Sequence, residues 1–261
     1  MSRILLSAHK GGPEDFYIPN SLAASEAIRD SGVDLIEFDV RVTKDDVFVT
    51  LHDESILVQG APIAIERLNA ADVLKHAEGA CKLDDMLNAV KDHAIAHVDI
   101  KDTRMEVEIV DMCTAILGKH GFIITTLEDE SVLRIRQARP EVQVALSLGR
   151  DVSSMPLIKA AQVRLSELLP ARRIKRCQPT MLALNYKIAK FGVLGWANKH
   201  HLPVLLWTMN TPELMQAAWN NPYIWAFTTN YPREALMVSH HHAKKGWARA
   251  PLHFHSVATA K

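Results

Sequence analysis

The 261-residue sequence has little cysteine, no long apolar run and no excess of charge of either sign. Its three cysteines (Cys81, Cys113 and Cys177) are widely spaced, odd in number and form no CxxC pair. This argues against a disulfide framework or a zinc ribbon and favours a reducing compartment. No apolar run approaches a membrane span, and the first residues are too weakly apolar for a signal-peptide core. We therefore expect a cytoplasmic protein with no membrane span.

The charge balance bears on the choice of partner. Lysine and arginine together number 30, as do aspartate and glutamate, so the formal net charge is zero. Proteins that bind nucleic acid or anionic membranes by general electrostatics usually carry a basic excess. The sequence therefore predicts no nucleic-acid partner. It does not indicate the oligomeric state. It also lacks the GxSxG elbow of serine hydrolases and the GxxxxGK[ST] phosphate loop.

Strand-length apolar runs alternate with helical patterns along most of the chain. Apart from a short strand at 47–52, eight strands are predicted, over residues 4–8, 35–42, 95–100, 122–127, 143–148, 181–184, 204–209 and 224–229. Such alternation predicts a parallel sheet, and eight units in about 230 residues match a (β/α)₈ TIM barrel. A doubly wound open sheet is the alternative. We predict a single α/β domain over 1–239 with a short insertion after the second strand.

The last stretch of the chain, 240–261, shows no core pattern and is predicted to be a tail or a terminal cap. It begins with three consecutive histidines, which could bind metal adventitiously. A solvated surface run is the interpretation we prefer.

Two carboxylates on the second predicted strand are the most informative residues. In Ile36-Glu37-Phe38-Asp39-Val40 polar and apolar residues alternate, so Glu37 and Asp39 point to the same face. If the apolar residues face the helices, both carboxylates lie inside the barrel. Two close carboxylates repel each other and resist burial, and a divalent cation with oxygen ligands resolves that conflict. A solvated edge strand is the alternative.

Further polar residues lie at the ends of neighbouring predicted strands, where barrel active sites are built. The first strand ends in His9-Lys10-Gly11-Gly12, and the short strand at 47–52 ends in His52-Asp53. Asp53 could orient His52 or simply cap the following turn. In His97-Val98-Asp99-Ile100-Lys101 the alternation places Asp99 and Lys101 on one face. A carboxylate there could complete a metal site, and a lysine could meet a phosphate as a point charge.

These segments resemble, in order and spacing, the motifs of the glycerophosphodiester phosphodiesterase family. That family begins H-R-G-G and continues P-E-N-[ST]-L-A-A, I-E-x-D-V, T-K-D-G, V-x-x-H-D and E-x-K. Its last strands read V-W-T-V-N and I-T-[DN]-x-P. The matching segments are His9–Gly12, 19–24, 36–40, 43–46, 49–53, 99–101, 204–210 and 228–232. The resemblance therefore covers residues 4–232.

The resemblance implies a metal-dependent phosphodiesterase on a (β/α)₈ barrel. It implies that His9 and His52 are the acid/base pair, and that Glu37, Asp39 and Asp99 hold one divalent cation, Mg²⁺ or Ca²⁺ or else Mn²⁺. Its implied substrate-binding residues are Lys10 and Lys101, which neutralise the phosphate, and Trp207, which walls the pocket.

Three departures from the family pattern bear on specificity. Lys10 replaces an arginine, so bidentate phosphate recognition is lost there. Asp99 replaces a glutamate and reaches one methylene less far, as in the related sphingomyelinase D-like enzymes. The stretch from Glu54 to Leu83 is shorter than the insertion that usually covers the glycerol pocket.

The expected reaction is hydrolysis of a small phosphodiester to a phosphomonoester and an alcohol by two-histidine acid/base catalysis. The expected substrate is a glycerophosphodiester or a sugar phosphodiester. The alternatives are a lyase that forms a cyclic phosphate, an opine-type (agrocinopine-like) sugar phosphodiesterase, and a barrel that only binds a phosphorylated ligand.

Overall fold

Eight parallel strands close into a barrel in the computed structural model, which describes residues 3–243. The barrel closes because the first strand pairs with the second strand on one side and with the last strand on the other. The predicted (β/α)₈ TIM barrel is therefore confirmed, and the open sheet is excluded. The strands of the described residues are, in chain order, β1 (Leu5–Ala8), β2 (Leu35–Val42), β3 (Phe48–Thr50), β4 (Ser55–Val58), β5 (Ala61–Ala64), β6 (Ile95–Ile100), β7 (Phe122–Thr126), β8 (Val144–Leu148), β9 (Met181–Asn185), β10 (Val204–Trp207) and β11 (Ala226–Thr229). All but β3, β4 and β5 belong to the barrel.

Helices follow most of the barrel strands. They are, in chain order, α1 (Leu22–Ile28), α2 (Ala70–His76), α3 (Leu83–Val90), α4 (Glu106–Leu117), α5 (Asp129–Ala138), α6 (Leu157–Leu168), α7 (Ala171–Cys177), α8 (Tyr186–Ile188), α9 (Leu194–Lys199), α10 (Pro212–Trp219) and α11 (Pro232–Ala243). The longest of them have 12 residues. A bilayer needs a helix of about 20 apolar residues, so nothing in the described residues could cross a membrane as a helix.

The barrel strands bury both faces, which explains their near-continuous apolar character. On β2, Ile36, Phe38 and Val40 pack against the helices, and Glu37 and Asp39 consequently point inside the barrel. The amino-terminal end of the interior is filled by a separate apolar layer, made of Leu5, Leu35, Ile95, Ile123, Ala145, Met181, Ala183, Leu205 and Ala226. Polar side chains therefore occupy only the carboxyl end of the barrel.

The segment between β2 and β6 differs from the sequence-based prediction. The strand predicted at 47–52 is shorter, and it turns back to pair antiparallel with β2, with Thr50 opposite Val40. The prediction also missed the hairpin of β4 and β5. Its two-residue turn, Gln59-Gly60, has positive φ at both positions, the geometry that suits a tight hairpin. Its side chains are only partly buried, so it lacks the apolar alternation by which strands are recognised.

The predicted boundary at residue 240 falls inside α11. The helix begins at Pro232 and continues to Ala243. No glycine or proline interrupts the sequence there until Gly246, so nothing in it stops the helix at 240. The rest of the predicted tail, and the side chains of the three consecutive histidines, lie outside the described residues.

Candidate active site

Three carboxylates from two adjacent strands meet at the carboxyl end of the barrel. β2 and β6 pair in parallel with Asp39 opposite Asp99, and Glu37 lies on the same face of β2. One oxygen from each of Glu37, Asp39 and Asp99 lies within 4.8 Å of the others. Glu37 and Asp39 are almost completely buried, and Asp99 is partly buried. The structure thus brings together the three predicted metal ligands.

Asp39 is held in place by an amide and two ammonium groups. Its Oδ2 accepts a hydrogen bond from Asn20 Nδ2 at 2.8 Å, and its backbone N–H donates to Asn20 Oδ1 at 2.9 Å. Lys101 Nζ lies 2.7 Å from its Oδ1, and Lys10 Nζ lies 4.0 Å from its Oδ2. Burial opposes the charge of Asp39, but the two lysines outweigh it and lower the pKa to about 2. Asp39 is therefore ionised.

Lys101 bridges two of the carboxylates. Besides Asp39, its ammonium contacts Asp99 Oδ2, whose other oxygen accepts a hydrogen bond from Thr125 Oγ1 at 2.7 Å. Burial disfavours the ammonium charge, but Asp99, Asp39 and then Glu37 together raise the pKa of Lys101 above its ordinary value. This lysine stays charged at the centre of the site.

Glu37 has fewer contacts than Asp39 that offset the cost of burying its charge. It accepts a 2.6 Å hydrogen bond from the backbone N–H of Lys10, and His9 Nε2 is 3.9 Å away. Within residues 3–243 no lysine or arginine forms an ion pair with it. Burial, followed by repulsion from Asp39 and Asp99, raises the pKa of Glu37 well above its ordinary value.

These carboxylates fit a divalent cation. The three form an all-oxygen donor set, the type that Mg²⁺, Ca²⁺ and Mn²⁺ favour, without the cysteine or histidine that zinc prefers. A bound cation would also stabilise the charged form of Glu37, with which no lysine or arginine of the described residues forms an ion pair.

The turn after β1 explains why two glycines follow Lys10. Lys10, Gly11 and Gly12 all have positive φ, which is costly for most residues but not for glycine. A Cβ on Gly12 would also lie 2.8 Å from Pro232 Cγ. The turn points the backbone N–H of Lys10 at Glu37. The sequence did not predict this hydrogen bond.

His9 is oriented by an asparagine from the last barrel strand's loop. Its Nδ1 lies 2.5 Å from Asn230 Oδ1, and the backbone N–H of Asn230 donates to Asn210 Oδ1 at 2.9 Å. With the amide oxygen as acceptor, Nδ1 carries the proton and Nε2 faces Glu37. Burial lowers the pKa of His9 below 6.5, and the Asn230 hydrogen bond offsets only part of that. The ring is neutral at pH 7, so its Nε2 can accept a proton.

His52 reaches the same cleft from the antiparallel return of β3 and is half exposed. Its Nδ1 lies 2.9 Å from Asp53 Oδ1, so Asp53 orients the ring. Its backbone carbonyl accepts a 3.0 Å hydrogen bond from Arg41 Nε, and Arg41 Nη1 forms a 2.8 Å ion pair with Asp102. Arg41 thereby fixes the loop that carries His52 to the barrel.

A third histidine, His97, is buried inside the barrel beneath the cleft. Its Nδ1 lies 3.0 Å from Ser7 Oγ and its Nε2 lies 3.1 Å from Thr125 Oγ1. Burial is the main cause that lowers the pKa of His97 to about 3. With both ring nitrogens engaged, His97 supports the wall of the site as a neutral residue.

A cleft of about 760 Å³ opens above the carboxylates. All predicted site residues except Asp39 line it; Asp39 lies behind them, covered by its partners. Trp207, at the end of β10, forms part of its wall. The hydroxyl of Thr228, a residue that also lines the cleft, is buried and has no hydrogen-bond partner among the described residues.

Four supporting residues were not identified from the sequence: Asn20, Asn230, Arg41 and Thr125. The two asparagines stand in segments that carry the family resemblance, at 19–24 and 228–232. Their place in these segments was the sequence feature from which the two asparagines could have been identified. Arg41 and Thr125 carry no sequence signal, because their roles depend on partners 11 and 26 residues away along the chain.

Comparison with known proteins places this geometry in a family. A Mycobacterium tuberculosis protein named Probable glycerophosphodiester phosphodiesterase 2 is 35% identical over 117 residues, which cover 41% of this chain and 44% of that relative. The alignment thus spans less than half the length of the curated relative.

Solved structures share the fold at low sequence identity. A glycerophosphodiester phosphodiesterase from Parabacteroides distasonis is similar with a TM-score of 0.72 and 18% identity, covering 92% of this chain and 98% of that one. An Oleispira antarctica phosphodiesterase in complex with the product sn-glycerol-3-phosphate has a TM-score of 0.72 and 14% identity, covering 90% and 96%.

The sequence profile of the Glycerophosphoryl diester phosphodiesterase family matches residues 9–232. This range includes every predicted site residue and all of the barrel except β1. The chain therefore belongs to the glycerophosphoryl diester phosphodiesterase family.

Proposed function

We propose that the protein is a metal-dependent phosphodiesterase that hydrolyses a small phosphodiester to a phosphomonoester and an alcohol. The observation that carries the proposal is the buried cluster of Glu37, Asp39 and Asp99 at the base of a cleft that His9 and His52 also line. Family membership supports the reaction class. The product bound to the Oleispira relative supports a glycerophosphodiester as substrate.

In this proposal Glu37, Asp39 and Asp99 hold one Mg²⁺, Ca²⁺ or Mn²⁺ ion. When bound, such a cation supplies Lewis-acid stabilisation of the negative charge on phosphoryl oxygens. Lys101 and Lys10 place two further positive charges at the same end of the barrel. Because the phosphodiester gains negative charge in the transition state, fixed cations in a partly dry site stabilise it more than the ground state.

The two histidines divide the proton transfers. One removes a proton from the attacking hydroxyl or water, and the other protonates the departing alkoxide. His9 is neutral and its Nε2 faces Glu37, whereas His52 is half exposed and oriented by Asp53. This difference in environment supports two distinct roles for the histidines. A comparison of leaving groups assigns the acid role to one histidine and the base role to the other.

The three cysteines are buried and unpaired, which fits a reducing compartment. We therefore place the proposed activity in the cytoplasm. Glycerophosphodiesters are deacylated phospholipids, so a reaction on them belongs to lipid metabolism.

A panel of phosphodiesters tests the function and its specificity together. We expect turnover with Mg²⁺, Ca²⁺ or Mn²⁺, with products identified by ³¹P NMR. The insertion is short and the cleft is large enough for a ligand well beyond glycerol in size. We therefore expect at least one sugar- or aryl-phosphodiester to have a higher kcat/KM than glycerophosphocholine.

Each other outcome of the panel has a definite meaning. If glycerophosphodiesters are the best substrates, the inference from the short insertion and the large cleft is wrong. The protein then has the glycerophosphodiester specificity of its family. A cyclic phosphate as the final product would identify a lyase. No turnover of any diester with any of the three metals would contradict the proposal and favour a phosphate-binding barrel.

The hydrogen bond from Arg41 to the His52 carbonyl yields a second prediction. In Arg41→Lys the ammonium cannot reproduce the two separate donors that contact His52 and Asp102. Because His52 then loses its fixed position, we expect kcat to fall about tenfold while metal affinity and the melting temperature change little.

Arg104→Lys is the matched control for this prediction. Arg104 donates to the carbonyls of Val42 and Thr43 on the same segment but does not contact His52. Equal losses of kcat in both variants would show that Arg41 only stabilises the loop and does not position His52.

A further inference from the structure

Helix α6 carries an exposed apolar face at the mouth of the barrel. It lies between β8 and α7, and Glu167 is its one fully buried residue. Leu157, Ile158 and Leu165 are 87%, 77% and 59% exposed, and Leu169, directly after the helix, is 67% exposed. At about 100° per residue these side chains fall on one side of the helix. A contiguous apolar face of this kind marks an interaction surface.

The apolar face adjoins the proposed active-site cleft. Arg164 and Leu168 of α6 line the cleft, and so does Phe191, which is nevertheless 74% exposed. α6 packs against the segment that contains Phe191. We define the α6 face as Leu157, Ile158, Leu165, Leu169 and Phe191. It therefore extends outward from the rim of the cleft.

The stretch of chain that carries the α6 face is strongly basic, although the whole chain is neutral. Residues 152–200 contain nine lysines and arginines, which are Lys159, Arg164, Arg172, Arg173, Lys175, Arg176, Lys187, Lys190 and Lys199. The same stretch contains a single acidic residue, Glu167, which is buried. The balanced charge of the whole chain thus includes a basic stretch beside the cleft, with the exposed Asp151 immediately before it.

Not all of these cations are free. Arg164 pairs with Glu167, and Arg173 and Arg176 pair with Asp129. Lys159 on α6 and Lys190 beside Phe191 are exposed and form no ion pair within the described residues. These two flank the α6 face and remain available to an external anion.

We propose that the α6 face binds the surface of an anionic lipid bilayer. Exposed leucine, isoleucine and phenylalanine side chains insert at the boundary between headgroups and acyl chains, and adjacent lysines attract anionic headgroups. A second copy of this chain would place the two basic regions against each other, which electrostatic repulsion disfavours. Bound in this way, the protein opens its cleft at the level of the headgroups. The inference does not depend on the proposed reaction.

Vesicle sedimentation of the full chain tests the proposal. We expect binding to phosphatidylcholine vesicles that contain about one third phosphatidylglycerol, and little binding to pure phosphatidylcholine. Binding should weaken at about 0.5 M NaCl, because salt screens the lysines. The variants Leu157→Ser with Ile158→Ser, and Lys159→Glu with Lys190→Glu, should each lower the partition coefficient by roughly tenfold or more.

The matched control is Tyr223→Ser with Lys91→Glu. Both residues are exposed and lie just before β11 and β6, at the end of the barrel opposite the cleft. This variant should bind as the wild type does, and circular dichroism checks that every variant is folded.

Three outcomes would overturn the proposal. The first is that the wild type does not bind anionic vesicles at low salt. The second is that the α6-face variants bind as well as the control. The third is that the wild type is a dimer and that Leu157→Ser with Ile158→Ser converts it to a monomer. The last would show that a second copy covers the face.

Discussion

Glu37→Gln is expected to lower metal-dependent turnover by roughly 10³-fold, because a cation contributes several kcal/mol of charge stabilisation to the transition state. Glutamine keeps the shape of the side chain and can still accept the hydrogen bond from Lys10. It removes a carboxylate with which no lysine or arginine of the described residues forms an ion pair. The loss should therefore come from the metal and not from a disturbed fold.

Thermal unfolding separates these two causes. Mg²⁺ should raise the melting temperature of the wild type, since a ligand that binds only the folded state stabilises it. It should leave the melting temperature of Glu37→Gln unchanged. Without metal, the variant should be at least as stable as the wild type, because burial and the neighbouring carboxylates penalise the charged form of Glu37 but not a neutral amide.

Glu106→Gln is the matched control for Glu37→Gln. Glu106 is equally buried at 3% exposure, but it accepts hydrogen bonds from Ser131 and Arg134 outside the cleft. We expect this variant to lose stability while it keeps its metal response. Retained activity and metal response in Glu37→Gln, and also in Asp39→Asn, would contradict the assignment of the metal ligands.

His9→Ala and His52→Ala should each lower turnover by roughly 10²- to 10⁴-fold, the range for positioned proton transfer. Because neither histidine belongs to the carboxylate cluster, the metal-induced rise in melting temperature should persist in both variants. His200→Ala serves as the control, since His200 stacks on Trp196 at the protein surface. It should retain wild-type turnover.

Leaving groups distinguish the two histidines. The residue that protonates the alkoxide matters little for p-nitrophenolate, which departs without a proton, and matters greatly for an alkyl alcohol. We therefore expect one variant to recover activity on bis(p-nitrophenyl) phosphate and the other to remain impaired on every substrate. Equal losses on all leaving groups, or loss of metal binding in both variants, would contradict the division into acid and base.

Much of the barrel could be predicted from local sequence because its strands are buried on both faces. β2 and β6 occupy the residues predicted for them, and their alternation showed which carboxylates share the interior. The hairpin of β4 and β5 was missed because its partly exposed side chains carry no apolar alternation. The full burial that gives the barrel strands their apolar pattern is lacking in this hairpin.

The sequence predicted the carboxylates, lysines and histidines of the candidate site and Trp207, but not the contacts that hold them in place. These contacts join residues that are distant along the chain, such as His9 with Asn230 and Asp39 with Asn20. No local pattern encodes such pairs. The position of His52 depends likewise on β3 turning back along β2 and on Arg41, neither of which has a periodic signature.

We propose that the protein hydrolyses a phosphodiester and that this hydrolysis requires a metal held by Glu37, Asp39 and Asp99. ³¹P NMR is the sharpest test of both statements. Wild-type protein and Glu37→Gln are treated with a chelator, mixed with the best diester of the panel, and then supplied with Mg²⁺, Ca²⁺ or Mn²⁺ in excess. We expect the diester resonance to stay constant while the chelator is present. A phosphomonoester resonance should then grow in the wild type alone once metal is added. Phosphomonoester formation under chelator, or at the wild-type rate in Glu37→Gln, would contradict the proposal.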